Sequence, residues 1–218
     1  MTYKESFIKF MVDCGVLTFG EFTLKSGRKA PYFINCGNYK TGAQLAKLGE
    51  YYAECIHENN IPVETLFGPA YKGIPLAVST VVALSNKFGI DVSYCFDRKE
   101  AKDHGEGGMF VGKTLTDGEK VVIIDDVMTS GKALRESMPK LEAAAKVNVT
   151  GMVITVDRME KGTGELSAVQ EVKRDFDVTV YPIVTMEDII DAIRNDIVPG
   201  KEYLDKMLEY RNTYGISK

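Results

Sequence analysis

The chain has 218 residues, 44% of them hydrophobic and 27% charged, with a formal net charge of −4. That length and balance suit one sizeable core in a soluble globular protein, and the acidic excess gives no electrostatic reason to expect a nucleic-acid duplex or a membrane surface as partner. The opening MTYKESFIKFMVDCG has no apolar signal-like run and no later run approaches the roughly 20 apolar residues of a bilayer span, so a cytoplasmic location is expected.

Phe7, Phe10, Met11 and Cys14 fall at i, i+3, i+4 and i+7 and predict an amphipathic opening helix. The stretch EFTLKSGRKAPYFIN alternates around the turn signal Ser26-Gly27, which predicts a β-hairpin or hood-like excursion. Leu45, Gly49, Tyr52, Ala53 and Ile56 mark a second helix. Strand, loop and helix then repeat: TLFG before a helix over 74–87, VSYCF before a polar loop, VVIID before a helix over 132–145. GMVITVD before a helix over 165–176 and VTVYPIVT before a helix over 186–194 complete the series. Such alternation predicts an α/β fold, a parallel sheet with helices on both faces, in a single domain spanning 1–218. Ligands bind such sheets at the carboxyl ends of the strands, here the loops after Phe67, Phe96, Ile124 and Val156. Cys14, Cys36, Cys55 and Cys95 contain no C-x-x-C pair, so reduced packing cysteines are expected rather than a zinc or redox site.

Two stretches compete as phosphate loops. Residues 107–114, GGMFVGKT, match G-x-x-x-x-G-K-[ST] in every fixed position. That motif works only where it follows a strand and opens a helix, so that backbone amides and the helix dipole converge on phosphate. Here RKEAKDHGEG precedes it and LTDGEK leads directly into the next strand, which leaves no helix to open. Residues 125–133, DDVMTSGKA, do lie between an apolar strand and the strong helix former KALRESMPKLEAAAK. The amides of about Val127 to Gly131 are expected to form an anion cradle, and Asp125 and Asp126 to accept hydrogen bonds from vicinal sugar hydroxyls or approach Mg²⁺. Carboxylates for a sugar beside amides for a phosphate imply a ribose 5-phosphate.

VVIIDDVMTSGKA resembles the phosphoribosyl pyrophosphate signature of the type I phosphoribosyltransferases. FGEFTLKSGRKAPYFIN, LFGPAYKGIPLA, YCFDRKEAKDHGEGG and VDRMEKGTGE extend the resemblance to the orotate phosphoribosyltransferases. It implies a central, mainly parallel sheet flanked by helices, with a small N-terminal hood of about residues 1–40 on a core of about 41–218. It also implies transfer of ribose 5-phosphate from phosphoribosyl pyrophosphate to N1 of orotate, in pyrimidine biosynthesis. Lys132, just after the loop, departs from the small or hydroxylated residues common there in relatives.

The resemblance assigns phosphoribosyl pyrophosphate to Lys25, Tyr71, Lys72, Arg98, Lys99, Lys102, His104 and the run Asp125, Asp126, Val127, Met128, Thr129, Ser130, Gly131, Lys132 and Ala133. Among these Lys72, Lys99, Lys102, His104, Asp125 and Asp126 are the expected catalytic groups. DRKEAKDHGEGG is expected to be a cationic lid hinged on Gly105, Gly107 and Gly108, closing over pyrophosphate. Orotate is assigned to Lys25, the backbone near Phe33 and Ile34, Thr129 and Arg158, whose cation would discriminate a base carrying a carboxylate. Mg²⁺ is expected mainly through substrate and water, with Asp125 or Asp126 as protein ligands. The expected assembly is a homodimer whose lid reaches the partner's site, with no nucleic-acid or membrane partner. A purine or uracil phosphoribosyltransferase, and a phosphoribosyl-pyrophosphate-sensing regulator that binds nucleic acid, are the alternatives.

Overall fold

The computed structural model describes residues 1–24, 27–102, 108–128, 130–162 and 164–216; the side chains of residues 100–102 and 108 also lie outside the description. Helix α1 (Tyr3–Asp13) opens the chain, and Cys14 serves as its C-cap rather than its last turn. Strands β1 (Leu17–Thr23) and β2 (Lys29–Ile34) form an antiparallel hairpin. Gly27 adopts φ +80° in its turn, a backbone region open to glycine at little cost.

The rest is an α/β succession: α2 (Gly42–Glu58), β3 (Thr65–Phe67), α3 (Gly73–Ala83), β4 (Ser93–Lys102), β5 (Gly108–Gly112), β6 (Lys120–Ile124) and α4 (Lys132–Ala144). It continues through β7 (Asn148–Asp157), α5 (Ala168–Phe176), β8 (Val180–Thr185), α6 (Met186–Arg194) and α7 (Leu204–Tyr214). The six-stranded sheet has the order β5-β4-β3-β6-β7-β8. Its pairs are parallel except β4 with β5.

Alternation along each strand divides the core. Val122 and Ile124 of β6 join Tyr52 and Leu48 of α2, Phe7 of α1 and Ile189 of α6 on one face. Val121 and Ile123 join Leu134 and Leu141 of α4 and Val172 of α5 on the other. Because both faces are covered, β6 and β7 read as continuous apolar runs. The N-terminal segment shares the larger cluster, since Phe7, Ile8, Met11, Val16, Leu17 and Tyr32 all pack there.

Three sequence expectations change. The polar stretch beginning at Asp97 is not loop at its start: β4 runs on to Lys102, and Asp97 is only 4% exposed. The glycine-rich Walker-like stretch contains β5, which pairs antiparallel with β4 and makes the sheet mixed. Helix α7 had no counterpart among the predicted elements.

Candidate active site

The loops after β3, β6 and β7 converge at one edge of the sheet on a cavity of about 600 Å³. Lys72 enters it from the β3–α3 turn, Asp126 and Ser130 from the β6–α4 turn, Arg158 from the end of β7, and Phe33 and Ile34 from β2. A smaller cavity of about 180 Å³ adjoins Asp125, Ser130, Gly131, Lys132 and Ala133.

The β3–α3 turn approaches β6 too closely for any side chain at residue 73. A Cβ on Gly73 would lie 2.9 Å from the Ile124 carbonyl oxygen, and one on Gly68 would lie 2.3 Å from the Gly73 carbonyl oxygen. Asp97 holds this turn from β4: its Oδ1 accepts the Ala70 N–H at 2.7 Å, and Lys140 of α4 pairs with its other oxygen. Lys72 thereby reaches Asp126, with Nζ 2.6 Å from Oδ2. The Asp126 carboxylate raises the Lys72 pKa through that hydrogen bond. Tyr71 is 71% exposed and Lys99 lies over its ring, 5.6 Å from the centroid.

The β6–α4 turn is fixed from behind. Tyr52 donates to the Asp125 carbonyl at 2.7 Å, and the Thr155 hydroxyl and amide both donate to the Asp126 carbonyl, at 2.6 and 2.8 Å. The Asp125 carboxyl is pushed up to about 6, by burial first and the neighbouring Asp126 carboxylate second. Val127 donates its amide to Asp126 Oδ1 at 2.8 Å, which takes it out of the set of amides expected to face an anion. Gly131 precedes α4 at φ +66°, and no side chain among the described residues caps that helix. Cys36, also on the cavity wall, lies 3.7 Å from the Thr155 hydroxyl; burial pushes its thiol up to about 12.

On the same cavity, Phe33 is 40% exposed, and Ile34 and Arg158 also line it. Arg158 Nη2 stands 3.6 Å from Glu160 Oε2. Arg98 lies on β4, Met128 lines both cavities, and Lys102 ends β4 with its side chain undescribed. Lys25, His104 and Thr129 fall outside the described residues. Sequence reasoning missed Tyr52, Asp97 and Thr155, which hold the site from behind, and Glu160, which stands on the cavity wall beside Arg158. Of these only Asp97 carried a local signal, a carboxylate directly after an apolar strand. The Walker-like segment opens no helix, and Lys113 turns to Glu119, 4.0 Å away.

Residues 36–181 match the family model of the phosphoribosyl transferase domain. The chain is 52% identical over 219 residues to an orotate phosphoribosyltransferase of Clostridium botulinum, covering 98% of each. It is 50% identical over 214 residues to one of Vibrio vulnificus, covering 98% of this chain and 99% of the other. A crystal structure of orotate phosphoribosyltransferase from Francisella tularensis superposes with a TM-score of 0.87 at 43% identity, covering 96% of this chain and 99% of that one. These similarities favour neither the purine or uracil alternative nor the regulator. No described helix is long and apolar enough to cross a membrane.

Proposed function

The chain belongs to the orotate phosphoribosyltransferase family, and from that premise we infer how its residues divide the work. The enzyme transfers ribose 5-phosphate from phosphoribosyl pyrophosphate to N1 of orotate, giving orotidine 5′-monophosphate and pyrophosphate. One observation carries the division of roles: a single cavity is lined both by Phe33, Ile34 and Arg158 and by Lys72, Asp126 and Ser130.

In this reading Arg158 pairs with the orotate carboxylate while the backbone at Phe33 and Ile34, Lys25 and Thr129 fix the ring. The turn 128–133 holds the 5-phosphate at the uncapped start of α4, and Asp125 and Asp126 accept the ribose hydroxyls. Lys72 leaves Asp126 for pyrophosphate, joined there by Tyr71, Arg98, Lys99, Lys102 and His104. As the C1–O bond breaks, positive charge grows on the ribose ring and negative charge on pyrophosphate. Preset cations and exclusion of water are therefore what the protein supplies. No enzyme nucleophile is required.

The adjacent carboxylates of Asp125 and Asp126 suit Mg²⁺: the buried first carboxyl titrates high beside the second, so a divalent cation relieves their repulsion. Bound with the substrate, Mg²⁺ would neutralise charge on the leaving pyrophosphate.

The proposed assembly is a cytoplasmic homodimer with each lid acting on the partner's site. It is supported by the apolar groove between α2 and α3, lined by Leu45, Ile74, Val78 and Val82, and by a β4–β5 hairpin at the sheet's edge. Mixing inactive Lys102→Ala and Asp126→Ala subunits should restore about a quarter of wild-type activity, because random pairing gives half the dimers one intact site of two. No recovery after verified exchange would overturn lid sharing. The base assignment is tested by Arg158→Ala. The KM for orotate should rise on the order of 10–100-fold, with that for phosphoribosyl pyrophosphate nearly unchanged. Equal effects on both would contradict it.

A further inference from the structure

On the wall of the cavity, two arginines from opposite parts of the chain meet one carboxylate. Met159, two residues past the end of β7, adopts φ +55°, and Asp157 Oδ1 accepts its amide at 2.8 Å. The chain therefore turns back and brings Glu160, whose side chain is 9% exposed, beside Arg158. Arg28, from the β1–β2 turn, approaches the same oxygen at 3.5 Å. Tyr32 donates to the other oxygen at 2.6 Å, and burial and the carboxylate together keep its phenol protonated.

The two cations are used differently. Arg28 is committed to the fold: Nη1 and Nη2 both donate to the Lys161 carbonyl at 3.3 Å, and its guanidinium covers the Tyr214 ring at 4.8 Å. Arg158 faces Glu160 at ion-pair rather than hydrogen-bond distance, and its buried Nε has no hydrogen-bond partner among the described residues. Its charge is balanced by Glu160, no side-chain hydrogen bond among the described residues engages its guanidinium, and Arg158 lines the cavity, so its terminal nitrogens rather than the buried Nε are the donors left for a ligand.

The C-terminal segment holds Glu160 in place. Gly215 bridges its backbone, Lys161 N–H donates to the Tyr214 carbonyl at 2.8 Å, and Ile216 N–H donates to the Met159 carbonyl at 2.9 Å. Tyr210 of α7 packs edge-on against Tyr32, with centroids 5.8 Å apart.

We propose that Glu160 is a positioning residue for base recognition: its carboxylate, held by Tyr32 and the C-terminal segment, presets the Arg158 guanidinium for the carboxylate of the base. The proposal rests on Arg158 being the base-carboxylate cation. It explains why a negative group stands beside a site for a negative substrate. Without that counter-charge, Arg158 would be free to swing toward Asp157 or solvent, and binding would carry the cost of ordering it.

The test is steady-state kinetics of Glu160→Gln in the full-length enzyme, which keeps the side chain's shape and removes its charge. The KM for orotate is expected to rise about tenfold, the effect of losing one charge-assisted partner, with kcat and the KM for phosphoribosyl pyrophosphate within about twofold. Discrimination between orotate and uracil should narrow by a similar factor. In an Arg158→Ala background Glu160→Gln should change orotate KM little, because the residue acts through Arg158. A fall in orotate KM, as expected of a mere competitor for Arg158, would overturn the proposal, as would full additivity with Arg158→Ala. If Arg158→Ala itself left orotate KM unchanged, the base-site reading would fail instead. Should Glu160→Gln not fold, Tyr32→Phe is expected to raise orotate KM about threefold; no change there would also overturn the proposal.

Discussion

Four helices begin on the same edge of the sheet, and they begin in two ways. At α5 and α6 the first amides are satisfied within the protein: Ser167 with Gln170, and Thr185 with Asp188, form reciprocal capping boxes. Helices α3 and α4 start at Lys72 and Gly131 with no side-chain cap among the described residues. A capped terminus has its donors already paired, whereas an uncapped one offers donors and positive dipole to whatever binds. The two uncapped starts are the turns that carry Lys72 and Asp126. Under the proposed division of roles, the difference separates helix ends that complete the fold from those that would receive an anion.

The largest effect should come from moving α4 into the other class. Ser130→Asp places a carboxylate beside the open amides, where like charge against phosphate costs several kcal/mol. The affinity for phosphoribosyl pyrophosphate, read by isothermal titration, should fall on the order of 10²–10³-fold. Unchanged affinity would show that the α4 start is not the phosphate site.

A smaller effect concerns Asp125. Its folded pKa of about 6 lies above the ordinary 3.8, so the stability linked to its protonation is complete below the unfolded value and lost as pH rises through about 6. Asp125→Asn should therefore be more stable than wild type above pH 6, on the order of 1–3 kcal/mol by denaturant titration, with the gap closing below pH 4. Activity should move oppositely. If the ionised carboxylate accepts ribose hydroxyls, kcat/KM for phosphoribosyl pyrophosphate falls as pH drops through about 6, and a flat profile would count against that role.

The smallest effect belongs to the capped class. Thr185→Ala removes the oxygen that accepts the Asp188 amide at 3.2 Å and should cost about 1 kcal/mol of stability in thermal unfolding, with turnover unchanged. Loss of turnover without loss of stability would blur the distinction between the two kinds of helix start.

The β6–α4 turn proposed for phosphate was legible as a strand-to-helix turn because its signals are contiguous: an apolar strand, two carboxylates, hydroxyls, a glycine and a helix former within residues 121–145. The parallel core was legible for the same reason, since burial on both faces leaves unbroken apolar runs. Strand β5 was not, because its glycines mimic a phosphate loop and only pairing with β4 makes it a strand. Helix α7 escaped because only Met207 and Tyr210 are buried along it, which leaves too little apolar periodicity to register. The support of Arg158 depends on Arg28 and Tyr32, more than 120 residues away in sequence and adjacent only after folding. Lys72 on Asp126 is a contact of the same kind, between turns 54 residues apart.

The central claim, that the anion site is the turn 125–133 and not its Walker-like neighbour, is tested most directly by kcat/KM for phosphoribosyl pyrophosphate in two variants. Lys113→Ala removes a half-exposed ammonium 4.0 Å from buried Glu119, whose carboxylate keeps its hydrogen bonds from Thr65 and Thr116, and should leave the value within about twofold. Asp126→Asn should lower it on the order of 10²–10³-fold, the scale for losing one preorganised polar contact at a reacting centre. The reverse pattern, a collapse in Lys113→Ala with Asp126→Asn near wild type, would contradict the account.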